Sequence, residues 1–191
     1  MIELEPEVWR QLVVPWYWTL AHLHLGIQAA FGWQDCHLHE FRIGGLRFGD
    51  LELLVEGPQR GDEARVFDSR DVRMRDFREG AIFEYVYDFG DNWTHVVEVE
   101  EQLFLDIAPK HATCIAGARA APPDDVGGPP GYERFVAAMS DPRHPDHREM
   151  RRWYGGPFDP EWCDLAVVDK DVRGALRANA RRRVRQPKGK P

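Results

Sequence analysis

The chain has 191 residues, 43% apolar and 30% charged, with 17 Gly, 14 Pro and a formal charge of −7. This length predicts one domain, and the apolar and aromatic content is enough to bury a core, which excludes wholesale disorder. The charge is uneven: eight Lys or Arg and no acid lie between Arg173 and Pro191, leaving 17 bases against 32 acids in residues 1–172. We therefore expect one domain over 1–172 and a basic helix end with a flexible tail over 173–191. There Arg181, Arg182, Arg183 and Arg185 could give weak, non-specific nucleic-acid contact, opposed by the field of the acidic body.

Cys36, Cys114 and Cys163 are odd in number and form no CxxC pair, which fits a reducing cytoplasm rather than a disulfide scaffold or a thiolate zinc knuckle. The opening MIELEPEVWR has acids where a secretory signal needs bases. Gln11–Gln34 has no charged residue, yet Pro15, Thr19, His22, His24, Gln28 and two glycines make it unsuitable for a membrane span.

In chain order, residues 2–5 and 8–14 read as two short strands around Pro6-Glu7. Thr19 can cap a helix with the stripe Leu20, Leu23, Ile27 and Phe31, ended by Gly32. HLHEFRI is a strand with His37, His39, Phe41 and Ile43 on one face, ended by Gly44-Gly45. Residues 56–71 read as polar loop, and VRMRDF as a strand passing into a turn. AIFEYVYDFGDNWTHVVEVEEQLF reads as a hairpin around Phe89–Asn92. ARAAPPDDVGGPPGY reads as a long structured loop, followed by a helix with the stripe Tyr132, Phe135, Val136 and Met139. A second helix is expected with Pro145 at its first position and Gly155 past its end, then a helical turn at Asp159-Pro160 and a fourth helix from about Asp169. These elements make an α+β fold with a mixed, largely antiparallel sheet that includes an N-terminal hairpin. One N-terminal helix packs on it, several helices follow at the C-terminal end, and the layout is β-grasp-like by analogy.

The segments TLAHLHLGIQAAFGW, HLHEF, YVYDFGDNWTHVVEVE, CIAGARAAPPDDVGGPPGY and DPRHPDH…W…FDPEWCD occur in this order. Over roughly residues 2–176 they resemble the plasmid pRiA4b ORF-three-like family, whose YDFGDxWxH and PPxDxGGxxGY segments are highly specific. Asp124 stands where that family usually has Glu, and Asp169 where it often has Asn. The resemblance implies a setting in plasmid or mobile-element biology, and some members carry the label of transposon resolvase. The residues do not supply that chemistry. Of the two serines, Ser69 and Ser140, only Ser69 lies among arginines (Arg65, Arg70, Arg73), deep in the chain. His144 and His147 are followed three residues later by His147 and Met150, so the His-x-x-Arg of a tyrosine recombinase is missing.

No GxSxG, Walker loop or GxGxxG occurs. Cys36 lies beside His37, but neighbours on a strand point to opposite faces. A metal or acid–base site is the sharper option. His37 and His39 would present two imidazoles on one face, and a four-residue hairpin loop would set Asp88 opposite Trp93, near His95. The plainer reading of Asp88, Asp91 and Asn92 is a tight turn that accepts backbone N–H bonds, with His95 pairing Asp88. Asp124-Asp125 could line a pocket, or Asp125 could cap donors in the Gly-rich turn. His144 is read as an N-cap, with Asp146 in the first turn behind it. Trp16, Tyr17 and Trp18 cannot all point inward, so at least one should border a groove.

Two functions of different class follow. The first is a cytoplasmic binding or accessory module with a polar-rimmed aromatic cleft, drawing on Trp16, Trp18, His37, His39, Asp88, Asp91, Trp93, His95, Asp124 and Asp125. Its partner would be a protein or small ligand. The second is a metal-assisted hydrolase or nuclease using His37, His39, Asp88 and His95, with a divalent metal as the sole cofactor.

Overall fold

Helix α1 (Leu20–Phe31) begins where the sequence places its cap. Thr19 is extended, its hydroxyl accepts the His22 N–H at 3.3 Å, and the His22 ring accepts the Thr19 N–H at 3.1 Å. Histidine thus closes a capping box that Glu or Gln usually closes. Gly32 ends the helix in the left-handed conformation (φ 70°), where its N–H satisfies carbonyls of the last turn. Leu20, Leu23 and Ile27 are buried along the expected stripe.

The computed structural model describes residues 1, 3–52 and 65–177. Ile2, part of the expected loop 56–71, and Arg181, Arg182, Arg183 and Arg185 of the basic segment lie outside them. The fold is α+β. A five-stranded, largely antiparallel sheet contains β2 (His39–Ile43), β3 (Leu46–Gly49), β4 (Val66–Asp68), β5 (Ile82–Tyr87) and β6 (Trp93–Glu98), in the order β4-β3-β2-β5-β6. Only β3 and β4 run parallel. The two-residue link Gly44-Gly45, with φ 57° and 80°, joins β2 to β3 in a hairpin turn that glycine alone enters freely. Strand β6 ends the sheet among the described residues, with Val96 and Glu98 exposed on it.

The inner face of the sheet carries Phe41, Phe83, Tyr85, Tyr87, Trp93 and His95, all buried. In the β5–β6 hairpin Tyr87, not Asp88, stands opposite Trp93, so the loop has five residues, Asp88–Asn92. The cause is local. Asp88 turns to φ 57° and leaves the ladder, its N–H going to the Leu38 carbonyl and its own carbonyl accepting from Asn92.

The expected N-terminal strand pair is corrected. Strand β1 (Trp9–Val13) pairs antiparallel with β7 (Thr113–Ala118) in a separate two-stranded ribbon, with a register shift between Gln11 and Leu12. Pro6 has no N–H to offer a ladder, and Arg10 supplies the tie instead. Its guanidinium donates to the carbonyls of Trp9, Ala30, Ala118 and Arg119 at 2.7–3.1 Å, binding β1 to the end of α1 and to β7. A Cβ on Gly117 would lie 2.7 Å from Arg10 Cδ, which explains the glycine within β7.

Three further helices follow among the described residues: α2 (Gly128–Ser140), α3 (His147–Tyr154) and α4 (Leu165–Gly174). Helix α3 starts two residues after Pro145, because the His144 ring accepts the Asp146 N–H at 3.1 Å and holds that turn outside the helix. Gly155 ends it in the left-handed conformation (φ 86°), as expected. Helix α4 starts at Leu165 rather than near Asp169. Asp164 caps it, accepting from Ala166 and Val167. Its Val168 and Val172 pack with Trp18, Ala30, Ala112 and Cys114. Val14, Phe31 and Met74 join that cluster to the main core.

Candidate functional site

The two most distinctive sequence segments meet at one end of the sheet. The Asp91 carboxylate of the β5–β6 loop accepts the Gly127 N–H at 3.0 Å, at the start of α2. Gly128 follows at φ 68°, where an added Cβ would lie 2.6 Å from the Asp91 carbonyl oxygen. Backbone is packed on backbone, and only glycine permits it. The role expected of Asp125, capping this Gly-rich turn, is filled by Asp91.

Asp125 faces His37 instead: its Oδ1 lies 3.1 Å from His37 Nε2, and Asp88 Oδ2 lies 3.5 Å from the same nitrogen. Asp88 divides its oxygens. Oδ1 accepts the Gly90 and Asp91 N–H groups at 3.0 and 3.3 Å, which leaves Oδ2 turned to the ring. Beside this trio, the Cys36 N–H donates to the Tyr87 hydroxyl at 3.3 Å, and that hydroxyl donates to Asp124 Oδ1 at 3.4 Å. Gln34 donates to Asp124 Oδ2 at 3.3 Å. Burial pushes the Asp124 carboxyl and the Cys36 thiol up from their ordinary pKa values. Ligand atoms of His37, Asp88 and Asp125 lie within 4.8 Å of one another, as do those of Cys36, His37 and Asp124.

Of the four residues considered together as metal ligands, only His37 and Asp88 are brought into contact. His39 stacks face to face on His24, ring centroids 3.4 Å apart, and burial lowers its pKa to about 3. His95 is interior. Its Nδ1 lies 3.3 and 3.1 Å from the carbonyls of Tyr85 and Trp93, and its ring packs edge-on against Phe31 and Trp33. Trp93 is core, 6.3 Å from Trp33 and edge-to-face with Tyr132.

Burial also lowers the His95 pKa to about 3. The unfolded chain takes up that proton near pH 6.5 and the folded chain does not, so this contribution to stability is complete above pH 6.5 and is lost toward pH 3. Urea unfolding should show a loss of about 1.4 kcal/mol per pH unit through this window from His95 alone. A His95→Phe variant that folds should show a correspondingly shallower slope.

Sequence reasoning did not find a ring of hydrogen bonds under the cluster. Gln28 Nε2 donates to the Tyr85 hydroxyl at 3.0 Å, the hydroxyl donates to His24 Nδ1 at 2.8 Å, and His24 Nε2 donates to Asp35 Oδ1 at 2.8 Å. The Asp35 N–H returns to Gln28 Oε1 at 3.0 Å. Every donor in the ring has an acceptor, which sets the His24 tautomer. The signal was His24 and Gln28, four residues apart in the apolar stripe of α1.

The aromatic cleft does not form at Trp16 and Trp18. Trp18 is 1% exposed, with Gly26 making room for its ring, while Trp16 is half exposed beneath the Arg75 guanidinium at 5.4 Å. A groove of about 450 Å³ lies instead between α2 and α3. Val126, Phe135, Met150 and Trp153 line it with Arg134 and three carboxylates, Asp125, Asp146 and Glu149. Trp153 is 48% exposed there. His147 donates from Nδ1 to the Ala138 carbonyl at 2.8 Å, tying the two helices together.

The structure thus defines an α+β protein in which the Asp88-Phe89-Gly90-Asp91 hairpin turn and a Gly-Pro-rich helix start are locked together beside a histidine–carboxylate cluster. No helix among the described residues is long and apolar enough to cross a membrane. The chain belongs to the family described as Plasmid pRiA4b ORF-3-like protein, whose model matches residues 1–167. It is 36% identical over 174 residues to "Uncharacterized protein y4hQ" of Sinorhizobium fredii (strain NBRC 101917 / NGR234), covering 88% of this chain and 85% of that one. A crystal structure of a "Protein of Unknown Function", MM3350 from Methanosarcina mazei Go1, superposes with a TM-score of 0.74 at 32% identity, covering 86% of this chain and 90% of that one.

Proposed function

We propose that the chain is a binding or accessory module that holds a basic peptide segment in the groove between α2 and α3. The observation that carries this reading is the composition of the groove. Three carboxylates and a half-exposed indole surround an apolar floor, with Arg134 as the one base among the lining residues. Its volume of about 450 Å³ falls within the range of ligand pockets, roughly 300–1,000 Å³. A Lys or Arg of the partner would lay its aliphatic stem on Val126 and Met150 and its charge against Trp153 and the acids. Three free thiols support a cytoplasmic setting. The family name supports an accessory role in plasmid or mobile-element biology, without recombinase chemistry, since Ser69 is only 3% exposed.

The test is titration of the full chain with tri-arginine, with tri-glutamate as control, followed by calorimetry at two salt concentrations. Tri-arginine should bind, more weakly at the higher salt, and Trp153→Ala and Asp146→Asn should each weaken it several-fold. No binding, or equal binding by both variants and the parent, overturns the reading.

A further inference from the structure

We infer that His37, Asp88 and Asp125 form the protein half of a divalent transition-metal site at the end of the sheet. This goes beyond the peptide groove, with which it shares Asp125. Zinc bonds to imidazole nitrogen and carboxylate oxygen are about 2.0–2.2 Å long, which sets neighbouring donors about 3.3–3.6 Å apart in a tetrahedron and about 2.8–3.1 Å apart in an octahedron. The nitrogen-to-oxygen separations here are 3.1 and 3.5 Å, so the imidazole nitrogen already stands at ligand spacing from each carboxylate. All three ligand atoms fall within 4.8 Å of one another.

A second observation concerns the nitrogen. The His37 side chain is 27% exposed, yet its Nε2 touches no solvent and makes no hydrogen bond. The two carboxylate oxygens are close, but neither lies where it could accept from the ring N–H. Buried polar atoms are rarely left this way in folded proteins. A cation among the three would engage the nitrogen lone pair and both oxygens at once. A neutral imidazole with two carboxylates carries −2, matched to a dication.

The support is also built. The turn amides on Oδ1 fix the Asp88 carboxylate, and the His37 ring stands edge-to-face on Tyr87 at 5.8 Å. Asp125, with its side chain 71% exposed, is free to close over an ion. Cys36 and Asp124 lie within 4.8 Å of a His37 nitrogen as neighbouring donors. The imidazole selects zinc or cobalt over magnesium and calcium, which prefer all-oxygen ligands.

The experiment uses the full chain at neutral pH, with Zn²⁺ binding measured by calorimetry and Co²⁺ binding by visible absorption. One ion per chain is expected, and excess Mg²⁺ should not displace cobalt. His37→Gln and Asp125→Asn should each weaken binding at least about tenfold, while Asp146→Asn in the peptide groove leaves it unchanged. Asp125 is exposed enough that its replacement leaves the fold intact, so its effect reads the site itself. Absence of saturable Zn²⁺ and Co²⁺ binding, or unchanged affinity in both His37→Gln and Asp125→Asn, overturns the assignment. Loss of tri-arginine binding with metal binding intact would count against the groove alone.

Discussion

Tyr85→Phe is expected to destabilise the protein by roughly 2–4 kcal/mol, although it removes a single oxygen atom. That oxygen both accepts from Gln28 and donates to His24, and the site is fully buried, so two partners lose their bonds where water cannot replace them. Apolar burial changes little, because the ring remains. For a chain of this size the melting temperature should fall by about 5–15 °C. A double-mutant cycle with Gln28→Met should be clearly non-additive, because the second change removes a donor already left idle. Additive losses, or a Tyr85→Phe cost below about 1 kcal/mol, would show that the ring is not closed as described.

Gly131→Ala is expected to be at least as severe, and in the direction opposite to the usual helix rule. Alanine in place of glycine inside a helix ordinarily stabilises by up to about 1 kcal/mol. At Gly131 the new Cβ would lie 2.1 Å from the Val126 carbonyl oxygen and 2.8 Å from its carbon. Both are backbone atoms, so no side chain can swing away, and the first turn of α2 has to move off the segment that carries Asp125. A loss of about 3 kcal/mol or more should appear in denaturant unfolding. Gly174→Ala is the internal control: nothing lies within 4 Å of its added Cβ, so a small gain is expected there. A neutral Gly131→Ala would contradict the packing of the Gly-Pro segment.

The parts of the fold legible in the sequence are those whose signals are local. Thr19 and Gly32 bracket α1, and the aromatic runs around Phe89–Asn92 mark the β5–β6 hairpin. Strand β3 was legible in principle, since Gly44-Gly45 between apolar residues is a hairpin signal, yet it reads equally as the end of β2. Strand β7 was not legible. TCIAGA has little β-propensity, and its pairing with β1 spans about a hundred residues of chain. The same division holds at the candidate site. His37, Asp88, Asp124 and Asp125 were visible as chemistry-bearing residues in distinctive segments. His39 and His95 were grouped with them because residues on one strand face look alike in sequence, whereas stacking on His24 and burial in the core separate them. The groove was out of reach, because Trp153, Arg134 and Asp125 converge only once α2 and α3 are packed.

The position of β6 at the end of the sheet bears on how the protein behaves when crowded. An outer strand exposes backbone donors and acceptors that another chain can pair with, and an exposed Val96 adds an apolar foothold. The chain continues from this edge into acids: Glu98, Glu100 and Glu101 are all exposed. Two copies approaching edge to edge in parallel, in-register alignment would bring these carboxylates together, and like charges across a pair oppose the contact. Acidity at this strand therefore opposes fibrous self-association, a task separate from any ligand.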